Sequence, residues 1–100
     1  MRRDPLDPEA VVTWLAAHPA WAGDEHALER RAELPRFRDA VDAFVAIAEA
    51  AEELDHHPDI DVRWRTLVLR LTTHSAGGRV TPRDLELAAR IDEVLAAWRL

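Results

Sequence analysis

The chain has no cysteine. That excludes disulfides, thiolate metal sites and a thiol nucleophile. It has no lysine, asparagine or glutamine, and without lysine there is no amine for Schiff-base chemistry. No stretch approaches 18 apolar residues without a charge, so no segment is expected to span a membrane. Behind Met1-Arg2-Arg3 there is no apolar run of the kind a secretory leader carries. Basic residues are also scarce. Thirteen, all arginine, face 19 acidic residues, for a net charge of −6, the opposite of a nucleic-acid-binding surplus. These absences lead us to expect a cytoplasmic protein with neither a nucleic-acid nor a membrane partner.

What remains is ordinary for a folded chain. Its 100 residues are 48% apolar and 32% charged, which suits one domain over residues 1–100 with a modest core. A core of that size gains from association, so an oligomer is expected. Eighteen alanines beside an all-arginine basic set look like the codon bias of a GC-rich genome.

Periodicity divides the chain. Asp7 to His18 reads as a helix, with Asp7 as cap, Pro8 in the first turn and Val11, Trp14 and Leu15 on one face. Trp21 to Gly23 reads as a turn, and Ala27 to Phe37 as two short antiparallel strands. Arg38 to Asp55 is a second helix, with an apolar stripe of Phe37, Val41, Phe44, Val45, Ala48, Ala51 and Leu54. His56-His57-Pro58 stops it. From Ile60 to Thr73 the period is two, with Leu67, Leu69 and Leu71 on the buried side; a tight turn near Arg63 to Thr66 would make this one strand into a hairpin. After the Gly77-Gly78 loop, Thr81, Pro82 and Asp84 announce a last helix by a capping box, with Leu87, Ala88, Ile91, Leu95 and Trp98 as its stripe. Helices separated by antiparallel strands predict an α+β sandwich with helices on one face of the sheet.

Three of the five histidines flank the Ile60–Thr73 segment: His56 and His57 before it, His74 after it. With an ordinary pKa of about 6.5, histidine gives and takes protons near neutrality. With Glu52 and Asp84 they form a possible acid–base set. Taken singly, each is more readily a structural residue, and Asp84 suits the third position of its helix, where a carboxylate satisfies free N–H groups. Zinc on His56, His57 and His74 fits poorly, because adjacent histidines diverge in regular structure and no His-x-x-x-His occurs. Ser75 lies in no nucleophile elbow, and Gly77-Gly78 is no phosphate loop. Trp64 is either a packing residue or the wall of a flat-ligand pocket.

Taken together, the spacing is more specific than any part. Glu52-x-x-x-His56-His57-Pro58 is followed by five residues to Trp64, nine more to His74 and nine more to Asp84. With the surrounding AEELDHHPD, LRLTTHSAGG and TPRDLELAARID, this resembles the signature of the pterin-4a-carbinolamine dehydratases over roughly Trp21 to Leu95. The resemblance implies a four-stranded antiparallel sheet with three helices packed on one face, in the order α-β-β-α-β-β-α. It implies a homodimer or homotetramer, a functional link to an aromatic amino-acid hydroxylase, and neither metal nor organic cofactor. Animal members also serve as dimerisation cofactors of a homeodomain transcription factor. The implied activity is a hydro-lyase reaction in tetrahydropterin recycling: 4a-hydroxytetrahydrobiopterin loses water to give the quinonoid dihydropterin. By the same resemblance His56, His57 and His74 are the catalytic residues, with His56 and His74 as the acid–base pair and His57 orienting. Glu52, Pro58, Trp64 and Asp84 are the substrate-binding residues. The alternative is a non-catalytic pterin-binding or protein-assembly module on the same fold. Four features depart from the family pattern: Trp64-Arg65, Ser75, a longer 78–81 loop, and a charge-rich strand region before Phe37.

Overall fold

The alternating leucines anchor the architecture. Leu67, Leu69 and Leu71 lie on one face of a strand, β4 (Thr66–Leu71), and all three are fully buried. In the computed structural model, which describes residues 4–100, the chain runs α1 (Pro8–Ala17), β1 (Trp21–Gly23), β2 (Leu28–Glu33), α2 (Phe37–Leu54), β3 (Asp59–Arg63), β4, a 3-10 turn (His74–Ala76) and α3 (Pro82–Ala96). The strands form one antiparallel sheet in the order β1-β2-β4-β3. The α+β order expected from the sequence is the one observed.

Pleating sends alternate residues to opposite faces. On β2, Leu28, Arg30 and Ala32 are buried while Glu29, Arg31 and Glu33 are exposed. The interior side joins Val11 of α1, Ala40, Ala43 and Ile47 of α2, and Leu87, Ala88, Ile91 and Leu95 of α3 in one core with the leucines. The other face is open and charged. Register places Glu29, Arg70 and Asp59 in one row across it, and Arg31, Val68 and Asp61 in the next. Among the described residues no helix is long and apolar enough to cross a membrane.

Local expectations fared unevenly. α3 begins as expected: the Thr81 hydroxyl accepts from the Arg83 N–H, and Asp84 returns a bond to the Thr81 N–H. At α1 the Asp7 side chain makes no cap bond; its backbone carbonyl instead accepts from Ala10 and Val11. Trp21–Gly23 is a strand and not a turn, and Ala27–Phe37 supplies one strand and not two. Gly23, at φ +132°, closes that hairpin: a Cβ there would stand 2.1 Å from the Ala27 carbonyl oxygen. The Ile60–Thr73 segment takes its hairpin form, broken at Trp64-Arg65 with Trp64 in the left-handed region at φ 55°.

α2 differs in phase. Its buried face is Ala40, Ala43, Ile47, Ala50 and Ala51, whereas Phe37, Phe44 and Val45 of the expected stripe are 54%, 38% and 49% exposed. Small alanines let the helix approach the sheet closely, so size and not hydrophobicity chose the inward face. At the start of the helix, the Arg36 guanidinium hydrogen-bonded to Asp39 holds that carboxyl below the usual carboxylate range.

Candidate active site at one end of the β3–β4 hairpin

The end of α2 builds the site's first half. Asp55 adopts the left-handed conformation (φ 49°, ψ 44°), and the His56 N–H donates to the Ala51 carbonyl while the Asp55 N–H donates to that of Glu52. This is the Schellman ending of a helix, made here with aspartate in the place glycine usually fills. Pro58 then directs the chain into β3. The sharp reversal separates the two histidines: His56 is buried at 8% exposure, and His57 is exposed.

His56 turns to α3. Its Nε2 lies 2.6 Å from Oδ1 of Asp84, which is fully buried. Oδ2 of the same carboxylate accepts from the Thr73 hydroxyl at 2.7 Å and from the Thr81 N–H at 2.9 Å. The Thr73 and Thr81 hydroxyls lie 2.8 Å apart. Asp84 is therefore both the capping residue of α3 and the partner of a histidine. Capping alone would not require three different elements to converge on one carboxylate.

His57 turns to its own helix, and its Nε2 pairs with Glu52 Oε2 at the surface. These two residues and Pro58 line a concavity of about 320 Å³, completed by Phe44, Ala48, Ala51 and Ile60. One polar pair thus faces an otherwise apolar wall, a composition suited to a flat ring with a polar edge.

β4 delivers the remaining histidine. Asp59 is paired with Arg70, so the start of β3 and the end of β4 lie at the same end of the hairpin. Thr73 is held there by backbone bonds to Arg79 and Gly78. The next residue, His74, opens the 3-10 turn and is exposed. The Arg83 guanidinium donates to the Asp55 carbonyl and ties the start of α3 to the turn that bears His56 and His57.

The structure thus brings Glu52, His56, His57, Pro58, His74 and Asp84 to one end of the sheet. Trp64 is elsewhere. It sits at the far end of β3, roughly 20 Å from Pro58 at the rise of an extended strand. It is 71% exposed, with the Arg65 guanidinium 4.7 Å from its ring centre. Ile60, on the helix-facing side of β3, supplies the apolar wall beside His57 instead. The two histidines beside the β3 entry bond to different carboxylates, and among the described residues no group of three or more His, Asp or Glu side chains is arranged to hold a metal ion. Sequence reasoning missed Thr73, Thr81 and Arg83 as partners of the set. The signal available was weak: a Thr-Thr pair ahead of His74, and a cap residue that doubles as a ligand of Asp84.

Comparison with known proteins bears on the family and the fold. The profile of the family described as pterin 4 alpha carbinolamine dehydratase matches residues 4–94. A Mycolicibacterium smegmatis protein provisionally named as such a dehydratase is 47% identical over 91 residues, covering 91% of this chain and 96% of the relative. One from Mycobacteroides abscessus, also provisionally named, is 50% identical over 87 residues, with 87% and 92% covered. Among solved structures, a transcriptional coactivator/pterin dehydratase from Brucella melitensis superposes with a TM-score of 0.83 at 26% identity, covering 91% of this chain and 98% of that one. A pterin dehydratase-like protein identified as a RuBisCO assembly factor shares the fold, with a TM-score of 0.60 at 21% identity over 74% of this chain and 84% of its own. With most of its length matched in sequence and in fold, the chain belongs to the pterin-4a-carbinolamine dehydratase family.

Proposed function

We propose that the chain removes water from a 4a-hydroxytetrahydropterin by histidine acid–base catalysis. The observation that carries this reading is the buried His56–Asp84 pair beside the exposed His57–Glu52 pair, at the end of the hairpin where His74 also emerges. In the reaction the C4a–O bond breaks, a proton reaches the departing hydroxyl, and the N5 proton is lost as the N5=C4a double bond forms. The products are water and the quinonoid dihydropterin. One histidine supplies the proton and another accepts one, each worth about 10² to 10⁴ in rate. His56 and His74 take these roles, and His57 orients the ring. Glu52 holds the polar edge of the pterin, and Pro58 with Ile60 supports its flat face. Trp64, at the far end of β3, has no role in this reading.

The chain also acts as a homo-oligomer in this reading. Phe37, Phe44 and Val45 lie outward on α2, and β1 and β3 are open sheet edges. Sedimentation at tens of micromolar should show a dimer or tetramer; a strict monomer would refute that part.

The direct test is spectrophotometric. Freshly generated 4a-carbinolamine should dehydrate faster with protein than without, and prior treatment with chelator should leave the rate unchanged. Pterin binding without turnover would favour the non-catalytic alternative.

A further inference from the structure

The tip of the β3–β4 hairpin carries a residue that the hairpin does not need. Trp64 is 71% exposed, more than any other large apolar side chain among the described residues. It holds the left-handed conformation at φ 55°, where a bulky residue is rarely found. Asparagine or glycine would close such a turn with less strain. The Arg65 guanidinium lies against one face of the indole. Arg65 is itself tied down by Glu33 and by the Leu34 and Pro35 carbonyls. Arg63 is exposed, with only a long contact to Asp61, at 3.4 Å, among the described residues. The tip therefore presents a held aromatic ring with an accessible cation beside it.

α2 presents the reverse. Phe44, Val45 and Ala48 floor a groove of about 490 Å³, and Glu49, Glu52 and Glu53 rim it. Glu52 is bonded to His57 and Glu53 to Arg90, but the Glu49 carboxylate has no partner among the described residues. Phe44, Ala48 and Glu52 line both this groove and the concavity beside His57. Within one chain tip and groove do not meet. Arg65 fixes the tip beside Pro35, at the start of α2. Glu49 lies roughly 18 Å further along from Phe37 at the rise of a helix.

A second copy brings the two together. The edge strand β3 and the outer side of α2 share one flank, since Ile60 lines a concavity with Phe44 and Ala48. The tip is at one end of that flank and the groove is nearer the other. A two-fold axis between them sets each tip against the other copy's groove, so the contact is made twice and closes. Charge favours this match. Copies with a net charge of −6 repel, and Arg63 against Glu49 sets opposite charges together. We propose that Trp64 seats in the Phe44–Val45–Ala48 groove of a second copy, with Arg63 against that copy's Glu49, so that each site has the partner's Trp64 at its mouth. The docking rests on the oligomer reading above, and the place at the site mouth on the dehydratase reading.

Sedimentation equilibrium of the full chain tests the docking. Trp64→Asn suits the left-handed turn. It should weaken self-association by about thirtyfold or more, the effect of losing a central buried tryptophan. Arg63→Glu and Glu49→Arg should each weaken it by about fivefold. The double variant Arg63→Glu/Glu49→Arg reverses the pair and should regain most of the loss. Should Trp64→Asn fail to fold, the charge series, confined to exposed side chains, carries the same measurement. At the site, diluting the wild type through its dissociation midpoint should raise KM for the carbinolamine while kcat changes little. An oligomer indifferent to Trp64→Asn, or a double variant no better than the single ones, would overturn the docking and leave the homo-oligomer in place. A wild type that stays monomeric at tens of micromolar would overturn both. A KM that holds constant across the dissociation would remove the partner's Trp64 from the site. A protein that associates as expected but dehydrates no carbinolamine supports the docking and overturns the functional reading instead.

Discussion

His56→Ala is expected to lower the dehydration rate by about 10² to 10⁴, which corresponds to about 3 to 5 kcal/mol of barrier. The fold should feel the change as well. His56 is buried and hydrogen-bonded to a fully buried carboxylate, and removing the partner of such a group costs about 1 to 3 kcal/mol. His57→Ala provides the contrast. His57 is exposed and bonded to an exposed Glu52, so its loss should move the rate while the melting temperature stays within a few degrees. Steady-state kinetics and thermal unfolding on the same two variants separate these effects. Full activity in His56→Ala would remove His56 from the mechanism.

Asp84→Asn should be the most destabilising single-atom exchange in the site. An amide presents hydrogens on one side, and at Asp84 both sides already receive donors: His56 on Oδ1, and Thr73 and Thr81 on Oδ2. One orientation of the amide sets its hydrogens against Thr73 and Thr81, and the other suits those donors only if His56 turns from donor to acceptor at Nε2. Breaking a buried charged network of this kind costs about 3 kcal/mol or more. For a chain of this size that is a fall in Tm of roughly 12 to 24 °C. Activity should fall with it, since His56 loses its acceptor. Asp42→Asn serves as control, because Asp42 meets only the exposed Arg38 at the surface and its loss should stay within about 0.5 kcal/mol. Calorimetry showing equal effects from the two substitutions would contradict this role for Asp84.

How much of this was legible in the sequence depended on how loudly each residue type speaks. α3 was readable because Thr81-Pro82-x-Asp84 is an unambiguous start signal and its stripe is made of large side chains. The buried face of β4 was readable because leucine alternates with smaller or polar residues. The phase of α2 was not readable because its inward face is mostly alanine, which packs closely but carries little hydrophobic weight, while Phe44 and Val45 face outward. The hairpin break escaped a firm assignment because Trp64 takes a left-handed conformation that glycine or asparagine would normally mark. The three-residue β1 is too short to show a period. Within the site, spacing and family resemblance pointed to the histidines and Asp84. Which histidine meets which carboxylate follows from the Asp55 turn and the β3–β4 register, neither of which is written in residue type.

The left-handed turn at Asp55 bears on how the protein folds. Everything that meets at Asp84 comes from the continuous stretch between the end of α2 and the start of α3: His56 is 28 residues from its aspartate, and Thr73 only 11. Closing such loops costs little entropy, and the intervening hairpin shortens the effective distance further. The site's geometry is thus a local product of the chain, whereas β1 and β2 must be recruited across α2 to complete the sheet. In a folding experiment the hairpin and its two flanking helix ends can form ahead of the long-range β2–β4 pairing. On that order of events the polar network around Asp84 is assembled before the β2–β4 pairing completes the sheet.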